Sequence, residues 1–122
     1  MEYSKMTKAE KIEFLSRMKS EADECMDRIS EIKNFTGSAY KEKLQDIRYR
    51  YAKLKELAKE AYHYTHLTIN KNEENLFYTS FFVPAIQDIY VHCDAKINSS
   101  NPQELFHSLY DISYYARYYL PK

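Results

Sequence analysis

Asn34-Phe35-Thr36-Gly37-Ser38 is the stretch that decides the fold, because it holds the single glycine in a chain of 122 residues. Glycine supplies backbone angles that tight turns need, so a chain with one glycine and three prolines has few places to reverse. That composition predicts a few long helices joined by short connections, with a reversal at residues 34–38. The apolar residues on either side agree. Upstream, Leu15, Met18, Ala22, Cys25, Ile29 and Ile32 recur at spacings of three and four, which puts them on one helical stripe. Thr7 and Glu10 form a capping-box pattern ahead of the stripe, and a first helix is expected over 8–33. Downstream, Tyr40, Leu44, Ile47, Tyr51, Leu54, Ala58 and Ala61 resume the rhythm, and a second helix is expected over 39–66. Two such stripes joined by a short loop predict an antiparallel helical hairpin.

After the polar stretch Thr68 to Asn72, Glu73 and Glu74 place negative charge where it favours a helix start. A third helix is expected over 73–97, although Tyr78 to Pro84 is aromatic and β-branched enough to suit a strand. Leu76, Val83, Ile86, Tyr90, Cys93 and Ile97 keep helical spacing across Pro84, which removes a backbone donor. The expectation is therefore a helix kinked or restarted at that proline. Asn101, Pro102 and Glu104 then supply an N-cap, a first-turn proline and a first-turn acid. The fourth helix, expected over 102–120, turns Leu105, Leu109, Ile112, Ala116 and Tyr119 inward. The sum is an all-α chain, one domain over residues 1–122, folded as an antiparallel up-down-up-down four-helix bundle.

A mass of 14.7 kDa suits one domain with a real core. Eighteen basic residues balance eighteen acidic ones, so no global field draws the chain to nucleic acid or to an anionic membrane, and an electrostatic partner needs a local patch. Cys25 and Cys93 are too few for a disulfide framework and both fall on apolar stripes, which suggests reduced, buried thiols. The first residues lack the apolar core of a signal peptide, and no apolar run approaches about 20 residues. The expectation is a soluble, cytoplasmic protein with no membrane partner.

Tyrosine is in excess, with thirteen in the chain. In the fourth segment Tyr110, Tyr114, Tyr115, Tyr118 and Tyr119 point around most of the helix, more than one core can take. With Tyr119 inward, Tyr110, Tyr114 and Tyr118 form a second ladder at spacing four, with Phe106 one step earlier and Arg117 at its rim. Tyrosine combines a large contact area with a polar tip and little loss of side-chain entropy, so this ladder is a candidate binding or dimerisation face. The alternative is that the rings cover the third helix with their hydroxyls in water.

The second segment carries seven basic against four acidic residues between Ala39 and His66. Lys41, Arg48 and Lys55 line one flank of its stripe while Lys43 and Arg50 line the other, with Tyr49 among them. Such a flank could follow a phosphate backbone or an acidic partner, the rings stacking on unpaired bases. Acidic residues of the first segment, Glu21, Asp23, Glu24, Asp27 and Glu31, offer the alternative of intramolecular pairing.

Two Glu-x-x-His sequences, Glu60 with His63 and Glu104 with His107, match the spacing used twice by di-iron carboxylate bundles. Ala61 and Leu105 hold the inward register, however, which puts all four on outer positions where ligands cannot converge. His66 and His92 do not complete a zinc spacing. Cys25 and Cys93 on apolar stripes are poor nucleophiles, and a phosphate-binding loop lacks its glycines. No cofactor, no metal and no enzymatic activity are expected. In general type, a small neutral helical chain rich in Lys, Asn, Ile and Tyr, the protein resembles the accessory, immunity and inhibitor proteins of bacteria, phages and mobile elements, with no motif that carries residues over. The expected function is binding to a protein partner, or to a second copy, through Phe106, Tyr110, Tyr114, Arg117 and Tyr118.

Overall fold

A computed structural model describes residues 7–68, 82–94 and 97–120, which form four α-helices with no strand among the described residues. These are α1 (Lys8–Ile32), α2 (Gly37–Thr68), α3 (Val83–Asp94) and α4 (Pro102–Tyr118). The capping box opens α1: Glu10 N–H donates to Thr7 Oγ1 and Thr7 N–H donates to Glu10 Oε1, both at 3.1 Å. Two of the helix's orphan donors are thereby satisfied. α1 ends at Ile32, one residue earlier than expected, with Lys33 as its cap. The connection is four residues long, and Gly37 closes it at φ +61, in the left-handed region. α2 begins there rather than at Ala39 because the Thr36 carbonyl already accepts from Tyr40 N–H at 3.4 Å.

Pro84 is the second residue of α3, in the first turn, where a missing N–H removes no helical bond. α3 ends at Asp94, so Ile97 packs against the core from beyond the helix rather than within it. Residues 73–81, including most of the strand-like stretch, lie outside the described residues. At α4, Asn101 Oδ1 accepts from Gln103 N–H at 3.0 Å as the N-cap, and Pro102 follows. Glu104 does not close a capping box; its Oε1 accepts from Asn98 N–H at 3.4 Å and ties the preceding loop. α4 ends at Tyr118 rather than residue 120, with Tyr119 as its cap.

Each helix packs on its neighbours in sequence, α1 closes against α4, and α2 meets α4 more lightly across the centre, which makes a compact four-helix bundle. Arg28 meets Asp46 while Arg50 meets Glu21, so residue numbers run in opposite senses across α1 and α2. On α4 the same holds against α3, where Tyr119 meets Asp88 and Tyr115 meets His92.

The expected stripes supply most of the buried residues, with Tyr40, Leu44, Tyr90, Ile97 and Tyr119 only half-buried and Leu76 outside the described residues. Leu15, Ala22, Cys25, Ala58, Ala61, Ile86, Leu105, Leu109 and Ile112 are fully enclosed. Each large aliphatic side chain so buried stabilises the fold by about 1.5–3 kcal/mol before entropy is counted. The core also takes residues outside those stripes: Lys11, Phe14, Phe82, Ala85, Ile89, Ser108 and Ser113. The phenyl rings of Phe14 and Phe82 meet edge to face, centroids 5.8 Å apart. The two serines have partners, as buried polar groups require. Ser108 Oγ lies 2.9 Å from the Tyr51 hydroxyl and Ser113 Oγ donates to Asp23 Oδ1 at 2.5 Å, tying α4 to α2 and to α1.

Candidate protein-binding face

α4 has seventeen residues and buries only one side of them. Leu105, Leu109, Ile112 and Ala116 face the core, and Ser113 turns toward α1. A step of four residues advances about 40° around a helix, so a four-residue ladder winds slowly across its surface. Phe106, Tyr110, Tyr114 and Tyr118 make such a ladder on the side away from the core, with exposures of 36%, 53%, 42% and 67%. Tyr110 and Tyr114 lie near parallel with centroids 6.4 Å apart, and Tyr114 and Tyr118 repeat this at 6.2 Å. Tyr115 and Tyr119 stand edge-on beside the ladder and are half-buried. The ladder is thus held from one side by rings that belong to the fold.

Tyr115 and Tyr119 are what cover α3. The Tyr115 ring lies 4.5 Å from that of His92, and the Tyr119 hydroxyl donates to Asp88 Oδ2 at 2.8 Å. Burial, together with the hydrogen bond to Asp88 and its charge, pushes the Tyr119 phenol up to about 12. The division of labour among the five tyrosines is therefore plain: two serve the α3 contact and three face outward. Arg117, also exposed, flanks the ladder on one side and Asp111 on the other, the latter 3.8 Å from His107.

At its Phe106 end the ladder runs into an apolar groove of about 440 Å³ lined by Ile29, Ile32, Tyr40 and Pro102. Sequence periodicity does not show this groove, because its walls come from three helices. Phe106 lines this groove, with Lys33 and Gln103 also at its walls, and is the first ring of the ladder.

The basic flank of α2 is largely engaged within the chain. Arg50 holds Glu21 at 3.1 Å and Asp46 at 3.2 Å, with Glu24 at 3.9 Å, and its hydrogen bond to Glu21 raises the guanidinium's proton affinity further. Arg48 donates to Gln45 and to Ser99, and the Lys43 ammonium lies 4.8 Å over the Phe35 ring. Lys41 is exposed and Lys55 half-buried. The groove of about 640 Å³ between α1 and α2 has an apolar floor of Met18, Leu54 and Leu57, but its rim is this same mutually paired set of charges.

Glu60, His63, Glu104 and His107 are all exposed, on outer positions of α2 and α4. Among the described residues no three His, Cys, Asp or Glu side chains form a group that could hold a metal ion. Both cysteines are buried free thiols, and burial with the nearby Glu21 charge pushes Cys25 up to about 12. Among the described residues no helix is long and apolar enough to cross a membrane. Compared with protein-family models, curated proteins and solved structures, the chain matches none.

Proposed function

We propose that this chain is a non-enzymatic protein-binding protein that regulates or inhibits its partner by covering a surface on it, in the manner of small accessory and immunity proteins. The observation that carries the reading is the outward ladder of Phe106, Tyr110, Tyr114 and Tyr118, set beside Tyr115 and Tyr119 that already cover α3. Exposed aromatic surface that the fold does not use, with polar residues at its edges, is the composition of a binding hot spot. Arg117 provides a rim contact that can pair with a carboxylate or stack on a ring.

The reading is tested by capture with the wild-type protein and with Tyr114→Ala/Tyr118→Ala in parallel, followed by titration of whichever purified protein the wild type alone retains. Hot-spot truncation weakens such a complex by more than tenfold. Equal affinity for the two proteins contradicts the proposal. The intramolecular pairing of Arg50 weighs against the nucleic-acid reading of α2, since a paired guanidinium must break its contacts before meeting a phosphate.

A further inference from the structure

We infer that the cavity between α3 and α4, on the α3 side of the tyrosine ladder, takes an arginine side chain of the protein partner. The inference rests on the protein-binding reading above and names the chemistry of the group that anchors the partner. The cavity has a volume of about 330 Å³, and Ile97, Ser108, His92, Glu104, His107 and Asp111 are in its lining. Asp111 and His107 stand three residues from Tyr114 and Tyr110, one helical turn away, so a chain lying across those rings passes beside the cavity. The volume is at the small end of ligand pockets, which suits a single side chain delivered by such a chain better than a free ligand enclosed on most sides.

Charge selects the occupant. Among the described residues two carboxylates and no lysine or arginine line the cavity. The Asp111 side chain is 25% exposed, and its one described ion-pair partner, His107 Nε2, lies 3.8 Å away on a side chain that is 81% exposed. That separation is longer than a hydrogen bond, so a carboxylate largely withdrawn from water gains from a cation that can donate to it. Glu104 uses Oε1 on Asn98 N–H at 3.4 Å and has a second acceptor oxygen. His92 adds an acceptor of another kind. Its Nδ1 lies 2.7 Å from the Asp88 carbonyl, which can only accept, so Nδ1 carries the proton and Nε2 of the neutral ring is an acceptor.

Geometry separates the classes of cation. A metal ion needs donors that converge on one point at about 2.0–2.6 Å, and no three His, Cys, Asp or Glu side chains among the described residues group that way. Glu104 and Asp111 are two turns apart, about 10 Å along the helix axis. A guanidinium carries five donors in a flat fork, so it meets acceptors that lie on different sides of it, and its face stacks on an aromatic ring. The His92 ring, held 4.5 Å from that of Tyr115, is such a surface at the α3 wall. An ammonium group is a compact, strongly hydrated point charge and uses neither feature. Arginine is also among the residues that dominate binding hot spots, in company with tyrosine.

Titration of the isotope-labelled protein with acetyl-phenylalanyl-arginine amide at millimolar concentration, followed by the backbone amide resonances, tests the site. Saturable shifts are expected at residues 103–111 and at His92. The citrulline analogue, which keeps the shape of the probe and lacks its charge, should bind at least tenfold more weakly. Asp111→Asn should weaken the arginine probe by a similar factor with the rest of the spectrum unchanged, and Arg117→Gln, on the other flank of the ladder, should bind it as the wild type does. Absence of saturable shifts at the cavity, equal affinity for the two probes, or full affinity in Asp111→Asn overturns the arginine site. If Asp111→Asn loses its native spectrum, the comparison of the two probes on the wild type decides. Failure of the site leaves the protein-binding reading standing where Tyr114→Ala/Tyr118→Ala still weakens the captured partner, and equal capture by that variant contradicts the reading itself.

Discussion

The Tyr51 hydroxyl and Ser108 Oγ stand 2.9 Å apart in the bundle centre, the only contact between α2 and α4 side chains among the described hydrogen bonds that is fully buried. Either oxygen can donate, and each satisfies the other in a buried site. Ser108→Ala leaves the phenol unpaired and is expected to destabilise the protein by about 1–3 kcal/mol, as is Tyr51→Phe for the serine. Removing both should cost less than the sum of the single changes, which a double-mutant cycle by urea unfolding measures. Additive losses would mean that the pair does not interact.

Gly37 carries the sharpest local constraint. Its φ of +61 disfavours any side chain, yet a Cβ there would meet nothing within 4 Å. Gly37→Ala is therefore a pure backbone test, with an expected loss of about 1 kcal/mol and no change in the far-ultraviolet spectrum. Asn, which tolerates the left-handed region better, should lose less.

Alkaline pH should unfold the protein through groups that the fold keeps protonated. Cys25 is raised from 9.0 to about 12 and Tyr119 from 10.0 to about 12, in both cases first by burial. A group raised on folding contributes stability that is intact below its unfolded pKa and is lost as pH climbs toward the folded one. Denaturant midpoints should therefore hold below about pH 9 and fall between about 9 and 12. Tyr119→Phe should flatten the upper part of that fall. In the same vein, thiol reagents at pH 8 should leave the native protein unmodified and label both cysteines in denaturant.

Much of this architecture is legible in the sequence, and the misses share a cause. The seams of α1, α2 and α4 follow from spacing alone, and so do the two helix starts at Thr7 and Asn101. Lys11 shows what residue type conceals: it precedes Leu15 by four and Phe14 by three, so register places it on the core face, yet its charge argues for the surface. It is 2% exposed. Polarity likewise keeps Ser108 and Ser113 off any apolar stripe, and their burial depends on Tyr51 and Asp23, which lie 57 and 90 residues away in sequence. The ladder itself is readable from periodicity, but the choice between covering α3 and facing outward is not. Geometry resolves it by giving Tyr115 and Tyr119 to α3. The groove beside Phe106 needs three helices in place before it exists.

Arg50 is the residue whose sequence reading changes most. The charge pattern offers it to an outside anion, and the structure binds it to Glu21 and Asp46. Each of these partly exposed pairs is worth about 0–1 kcal/mol, so Arg50→Gln should lower stability by about 1 kcal/mol, read from the thermal midpoint. A neutral or stabilising result would show that the carboxylates find other partners, leaving the cation available.

The central claim is that the α4 ladder serves binding and not the fold. Thermal unfolding of Tyr114→Ala/Tyr118→Ala, followed by circular dichroism, tests it most directly. Exposed side chains outside the core change stability by about 0.5 kcal/mol each, so the variant should keep its helical spectrum and melt cooperatively within a few degrees of the wild type. A variant that loses helicity, or whose midpoint drops as far as a core truncation such as Leu109→Ala, would show that these tyrosines hold the bundle together and contradict the account.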